Sequence, residues 1–197
     1  MLDIRARKRV SKVFDPIGRA LAKIGVSPTL VTLCGLAISI GGAVLIAAGY
    51  LTVGALVLGV GATLDILDGV LARLTENETR RGALLDSFTD RVGEVAMWTG
   101  LAFYLGERSE ATLVMASLIA VCGSLLIPYL RSKAEGEGVE GKGGIMGRAE
   151  RLIVFCVGVG LEGLDLPTLD VTVWVLAALV WVTVMQRFRK TWIQLRP

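Results

Sequence analysis

The sequence predicts an all-α integral membrane protein: six transmembrane helices preceded by an N-terminal amphipathic interfacial helix. Three observations predict it. Hydrophobic residues make up 53% of the 197 residues, and the mean hydropathy of +0.64 lies on the membrane side of ordinary soluble proteins. Six apolar runs follow one another, most of them close to the roughly 20 residues that a spanning helix needs. The Lys and Arg side chains collect in alternate connections, as topological sorting by positive charge requires. Together these predict one membrane domain over residues 1–197, with 1–26 a juxtamembrane segment and 28–188 the six-helix core.

The first segment, Met1 to Val26, is basic and amphipathic. Val10, Val13, Phe14, Ile17, Leu21 and Ile24 recur at helical spacing, and most of the Lys and Arg fall elsewhere. Such a helix lies on a membrane surface and is drawn to anionic lipid, which fits this chain better than a nucleic-acid arm. Asp15-Pro16 reads as an N-cap followed by Pro at the first helical position, so a helix restart is expected there. A long charged stretch before the apolar run argues against a signal peptide.

The six runs extend over about Pro28–Tyr50, Leu51–Leu74, Ala83–Leu105, Ala111–Leu130, Ala149–Leu161 and Thr168–Met185, the fifth being short. Gly41-Gly42 and other small residues suit close helix packing in lipid. If all six runs span, every Lys and Arg except Arg108 lies on one side, and Glu107, Glu110, Glu162, Asp165 and Asp170 lie on the other. That asymmetry predicts a multi-pass protein of the cell membrane with both termini in the cytoplasm. Cys34, Cys122 and Cys156 fall within spans at different depths and read as packing residues.

The chemistry concentrates between Asp65 and Asp90. Asp65 and Asp68 are three apart, Asp86 and Asp90 four apart, so each pair shares a helix face. Four converging carboxylates repel one another, and a bound cation relieves them. The chain has no His, and none of its three Cys lies near, so hard oxygen ligands for Mg²⁺ or Mn²⁺ are the expected chemistry rather than zinc or iron. Gly69 and Gly82 beside the acids point to close backbone approach, by the other helix or by a ligand. Arg73, five residues after Asp68, is placed for a phosphate. No His is present to complete a Ser or Cys triad.

Asp65, Asp68, Gly69, Ala72, Arg73, Gly82, Asp86 and Asp90 fill every specified position of D-x2-D-G-x2-A-R-x8-G-x3-D-x3-D. This stretch resembles the signature of the CDP-alcohol phosphatidyltransferases. The resemblance implies a membrane enzyme of about six helices, usually a homodimer, that displaces CMP from a CDP-linked lipid with an alcohol. It implies that Asp65, Asp68, Asp86 and Asp90 hold two divalent ions, and that Asp90 is the general base. It places the CDP-lipid against Asp65, Asp68 and Asp86, with the nucleotide near Gly69, Ala72, Arg73, Thr79 and Gly82. The start of the first span, Thr29-Leu30-Val31-Thr32, would then lie beside the pyrophosphate. A cation-coupled transporter is the alternative of another class, but it leaves Arg73, Gly69 and Gly82 without a role, and no internal repeat is visible.

A second cluster is basic. Arg148 and Arg151 open the fifth span, where the helix dipole disfavours cations unless an anion is also held. A phosphate bound by Arg131, Lys133, Arg148, Arg151 and Arg187 would resolve this. Tyr129-x-Arg131-x-Lys133-Ala134-Glu135, Arg148-x-x-Arg151-Leu152 and Gln186-Arg187 resemble the branch that makes phosphatidylinositol phosphate, or its archaeal ether-lipid counterpart. The donor is then CDP-diacylglycerol or CDP-archaeol and the acceptor inositol phosphate. The order of Arg131 and Lys133 is reversed from that branch, and Gly147 stands where an acidic residue is common. Glycerol 3-phosphate therefore stays open as the other acceptor.

Overall fold

A computed structural model describes residues 4–76 and 78–195, with side chains described from residue 14 onward. Among the described residues the fold is all-helical: α1 (Ile4–Lys23), α2 (Pro28–Ala47), α3 (Leu51–Leu74), α4 (Arg80–Glu107), α5 (Ala111–Gly136), α6 (Arg148–Glu162) and α7 (Leu169–Gln194). Helix α1 runs through Pro16 without the expected restart. Its register past Pro16 is held by packing, with Phe14 and Leu21 set against Val31, Leu67 and Leu71.

Four helices, α2, α3, α5 and α7, are long and apolar enough to cross a membrane. Helix α4 is long enough but carries Arg80, Arg81, Asp86, Asp90, Arg91 and Glu94 between its start and its middle turn. Helix α6, at 15 residues, is only about 22 Å long, short of the roughly 30 Å hydrocarbon thickness. Residues 83–105, 111–130 and 169–185 fall inside longer helices than hydropathy alone outlines, with Thr168 as the cap of the last, because polar turns extend them beyond the apolar run.

The first turn of α2 is capped by Ser27, whose hydroxyl accepts from the Leu30 amide at 3.2 Å, with Pro28 at the first helical position. Helices α2 and α3 then form a tight antiparallel hairpin around Gly49, which takes φ +90°. A Cβ on Gly54 would lie 2.8 Å from the Gly42 carbonyl oxygen, and one on Gly61 2.9 Å from that of Gly35. The small residues are thus a packing seam, as expected, except that Gly41 meets nothing and Gly42 is the partner. Helix α2 also packs on α4, α3 on α1 and α6, α5 on α4 and α7, and α6 on α7. The main core, with Trp98 edge-on to Phe155 at 5.2 Å between centroids, joins α2 to α7. The alternation of up and down helices brings the start of α2, the end of α3, the start of α4 and the start of α6 to one end of the bundle.

Candidate active site

The site is made where α3 ends and α4 begins. Asp65 and Asp68 lie on the second half of α3, Asp86 and Asp90 on the first half of α4. Thr79 caps α4, accepting from the Gly82 amide at 3.0 Å. That cap and the start of α2 aim two helix N-termini at the same space, a setting suited to an anion.

The space is an open pocket of about 480 Å³. All eight signature residues line it: Asp65, Asp68, Gly69, Ala72, Arg73, Gly82, Asp86 and Asp90. Thr29, Thr32 and Thr79 line it too, as the resemblance implied, and so do Pro28 and Glu78, which the sequence did not single out. Leu30 and Val31 do not. Helical rotation turns Leu30 outward, 52% exposed, and Val31 into the cluster with Leu67 and Leu71. A Cβ on Gly69 would meet only Arg73 Nη1 at 3.8 Å, and one on Gly82 only the Thr79 hydroxyl at 3.1 Å. These two glycines face the pocket and not a neighbouring helix, so a ligand is what their missing side chains admit.

Asp65, Asp68 and Asp86 each present an oxygen within 4.8 Å of the others. Asp68 is buried, and its Oδ2 accepts a 2.5 Å hydrogen bond from the Thr32 hydroxyl. Asp90, one turn beyond Asp86, keeps a buried Oδ1 that accepts no hydrogen bond. Three convergent carboxylates, with no nitrogen or sulfur ligand among them, fit a hard divalent ion. Arg148 reaches the same group: its Nη1 lies 2.5 Å from Asp65 Oδ2 and 2.5 Å from Asp90 Oδ1.

The five basic residues do not form one pocket. Arg151 is 2% exposed and is held by Glu94, with Nε to Oε1 at 2.7 Å and Nη2 to Oε2 at 3.0 Å. The dipole argument for a bound anion at the start of α6 is therefore answered inside the protein, by Glu94 and by the aspartates. Arg131 pairs with Glu135, and Lys133 pairs with Glu137. Two residues apart on a helix is about 200° of rotation, so Arg131 and Lys133 face different ways. Arg187 donates from Nε to the Gly143 carbonyl at 2.9 Å and from Nη1 to the Ile127 carbonyl at 2.9 Å. Arg91, Arg131 and Arg151 lie near enough to repel it.

The connection over 137–147 is strapped to α7. Lys190 donates to Glu140 at 2.8 Å, the Gln194 side-chain amide donates to the Glu140 carbonyl at 3.0 Å, and Gln186 accepts from the Ile145 amide at 3.1 Å. The hydrogen bond and charge of Lys190 hold the Glu140 carboxyl below the usual carboxylate range.

Sequence reasoning passed over Glu94, although a signal was present. It is an acid set among Val92, Gly93, Val95 and Ala96, and a lone charge in an apolar run marks a group with a partner. Arg91, three residues before it, lies 3.4 Å away, but its closer partner, Arg151, lies 57 residues away and was invisible in the sequence.

Comparison with known proteins gives a consistent result. The family model for CDP-alcohol phosphatidyltransferase matches residues 25–187. The phosphatidylinositol phosphate synthase of Mycolicibacterium smegmatis is 38% identical over 192 residues, covering 93% of this chain and 86% of its own. The crystal structure of the Mycobacterium tuberculosis phosphatidylinositol phosphate synthase with CDP-DAG bound superposes with a TM-score of 0.86 at 35% identity, over 92% of this chain and 94% of that one. A second structure of that enzyme, in complex with manganese and citrate, gives a TM-score of 0.86 at 36% identity, over 91% and 88% of the two chains.

Proposed function

The chain belongs to the CDP-alcohol phosphatidyltransferase family, and from that premise we propose that it transfers the phosphatidyl group of CDP-diacylglycerol, or the archaetidyl group of CDP-archaeol, to inositol phosphate, releasing CMP. One observation carries the reading: the eight signature residues, drawn from two helices, line one pocket. The solved relative with CDP-DAG bound supports the donor, and the relatives' activity supports the acceptor.

Asp65, Asp68, Asp86 and Asp90 would hold two divalent ions, Mg²⁺ or Mn²⁺, which supply charge neutralisation at the pyrophosphate and the departing CMP. Thr32 orients Asp68 for that task. Arg73, at the mouth beside Gly69, and the amide ends of α2 and α4 receive the nucleotide phosphates. Asp90 accepts the proton of the acceptor hydroxyl as that oxygen attacks the lipid-side phosphorus. Arg131, Arg148 and the remaining donors of Arg187 receive the acceptor phosphate, whose dianion needs several donors to leave water. Arg151, spent on Glu94, supports them from behind, and Lys133 faces solvent with Glu137.

Helices α4 and α6 complete six spans. The polar half of α4 lies in the site, and the short α6 is sheltered between α3 and α7. Helix α1 rests on the cytoplasmic surface, and the working unit is a homodimer.

The test is a panel of radiolabelled acceptors with purified protein and CDP-diacylglycerol. Inositol phosphate is expected to be consumed with equimolar CMP release, ahead of free inositol and glycerol 3-phosphate. Preference for glycerol 3-phosphate would replace the acceptor and leave the family chemistry standing. Equal use of free inositol would remove the phosphate pocket.

A further inference from the structure

Helices α4 and α6 meet through two carboxylate–guanidinium contacts one turn apart. Asp90 and Glu94 are four apart on α4, Arg148 and Arg151 three apart on α6, so each helix offers its two charges on one face. The inner contact is closed. Arg151 grips both oxygens of Glu94, its Nη1 donates to the Met146 carbonyl at 3.3 Å, and the two side chains are 2% and 4% exposed. The outer contact is open to the pocket. Arg148 is 32% exposed and sits between Asp65 and Asp90.

Burying an ion pair gains little stability over apolar packing of the same volume. What a two-pronged buried pair does well is fix register, because the planar guanidinium accepts only a narrow range of carboxylate positions. Arg151 lies less than one turn past Arg148, so fixing its rotation and depth fixes those of Arg148. Glu94 itself does not line the 480 Å³ pocket. It borders a separate cavity of about 30 Å³, shared with Ser39, Arg148 and Leu152, with room for about one water. Its influence on the reaction passes through the arginines it touches: Arg151, held at 2.7 Å, and more loosely Arg91, which lies 3.4 Å from Glu94 Oε2 and 3.7 Å from Asp90 Oδ2.

We propose that Glu94 is a positioning residue of the transfer reaction: paired with Arg151, it sets the first turn of α6 so that Arg148 holds Asp90 in place at the reacting end of the pocket. The inference rests on the reading of Asp90 as general base. Loss of the inner contact lets α6 shift, Arg148 follows, and Asp90 and Asp65 lose the guanidinium held between them, while Asp68 keeps Thr32. A misplacement of about 1 Å at a reacting group costs on the order of 100-fold in rate.

The experiment uses the full chain in detergent with CDP-diacylglycerol and the acceptor that the wild-type protein prefers. Glu94→Gln is expected to lower kcat by roughly 10- to 100-fold, with the KM for CDP-diacylglycerol near its wild-type value. Arg148→Ala lowers kcat as well, and adding Glu94→Gln to it should cost almost nothing further, since the first change removes the group through which the second acts. A purely structural role would instead give independent, multiplying losses, and that result overturns the proposal. Wild-type kcat in Glu94→Gln also overturns it. Should Glu94→Gln fail to fold because Arg151 is left buried and unpaired, Glu94→Gln with Arg151→Gln removes both charges and carries the same cycle. A wild-type protein that releases no CMP with any acceptor refutes the proposed function, whereas wild-type turnover with multiplying losses refutes only the role of Glu94.

Discussion

The Thr32 hydroxyl crosses from α2 to Asp68 on α3 and donates to its Oδ2 at 2.5 Å. A hydroxyl facing an acid oxygen orients it and keeps its other lone pairs available for an ion. Thr32→Val retains the shape and removes the donor. Mn²⁺ affinity, read by electron paramagnetic resonance, is expected to weaken by about 10- to 100-fold, the usual effect of losing such a partner. An unchanged affinity would mean that Asp68 needs no support from α2. Asp90 has a different duty, and Asp90→Asn separates it. The amide cannot take a proton, so turnover is expected to fall by about 10²–10⁴-fold while CDP-diacylglycerol still binds. Near-normal turnover would remove Asp90 from the role of base.

Among the elements, the α2–α3 hairpin sets the distance between the pocket's walls. Gly54→Ala would push a Cβ to 2.6 Å from Ile46 Cγ1 and 2.8 Å from the Gly42 carbonyl oxygen, and the backbone partner cannot swing away. A loss of about 1–3 kcal/mol is expected, seen as a lower melting temperature in detergent. Gly41→Ala is the matched control, because nothing lies within 4 Å of its Cβ position, and helix propensity alone should make it neutral or slightly stabilising. Equal effects at the two positions would deny the packing seam. The strap between 137–147 and α7 makes a prediction in pH. Because Lys190 depresses the Glu140 carboxyl, the contact contributes fully above the ordinary Glu range and is lost as pH falls through the lower folded value. Hydrogen exchange at residues 139–146 is expected to quicken, beyond its intrinsic pH dependence, once pH drops below the ordinary Glu range. Glu140→Gln should show the faster exchange at neutral pH and no added acid effect. The same exchange in both proteins at all pH values would show that the backbone contacts of Gln186 and Gln194 hold the loop alone.

At the scale of the whole molecule, the charges and the site share one end of the bundle. With Cys34, Cys122 and Cys156 replaced by Ala, a cysteine at Glu162 or Asp165 is expected to label from outside intact cells with an impermeant maleimide, and one at Glu140 only after lysis. The opposite pattern would invert the protein and put the pocket outside. In the proposed orientation the pocket would meet a soluble phosphorylated alcohol from water while the lipid tails stay in the bilayer, which suits a transferase joining the two. The transport alternative raised by the intramembrane acids is set aside by membership of an enzyme family.

Spacing along the chain was enough for the helical membrane class and for the two aspartate pairs, because both depend on position within a helix. Asp65 with Asp68, and Asp86 with Asp90, share faces whatever the rest of the chain does. The sequence also marked Gly69 and Gly82 as places of close approach, and left open what approaches them. Only the tertiary structure decided that a pocket does, and that Leu30 and Val31 turn away while Thr32 reaches Asp68. The largest revision is at the basic cluster. Arg148 and Arg151 look alike in sequence, as two cations at one helix start. Packing of α6 against α3 and α4 gave the first to Asp65 and Asp90 and the second to Glu94, partners 83, 58 and 57 positions away along the chain. The worth of a buried charge depends on what faces it in a medium of low dielectric. Sequence spacing records a side chain's own helix, and the opposing charge is supplied by another.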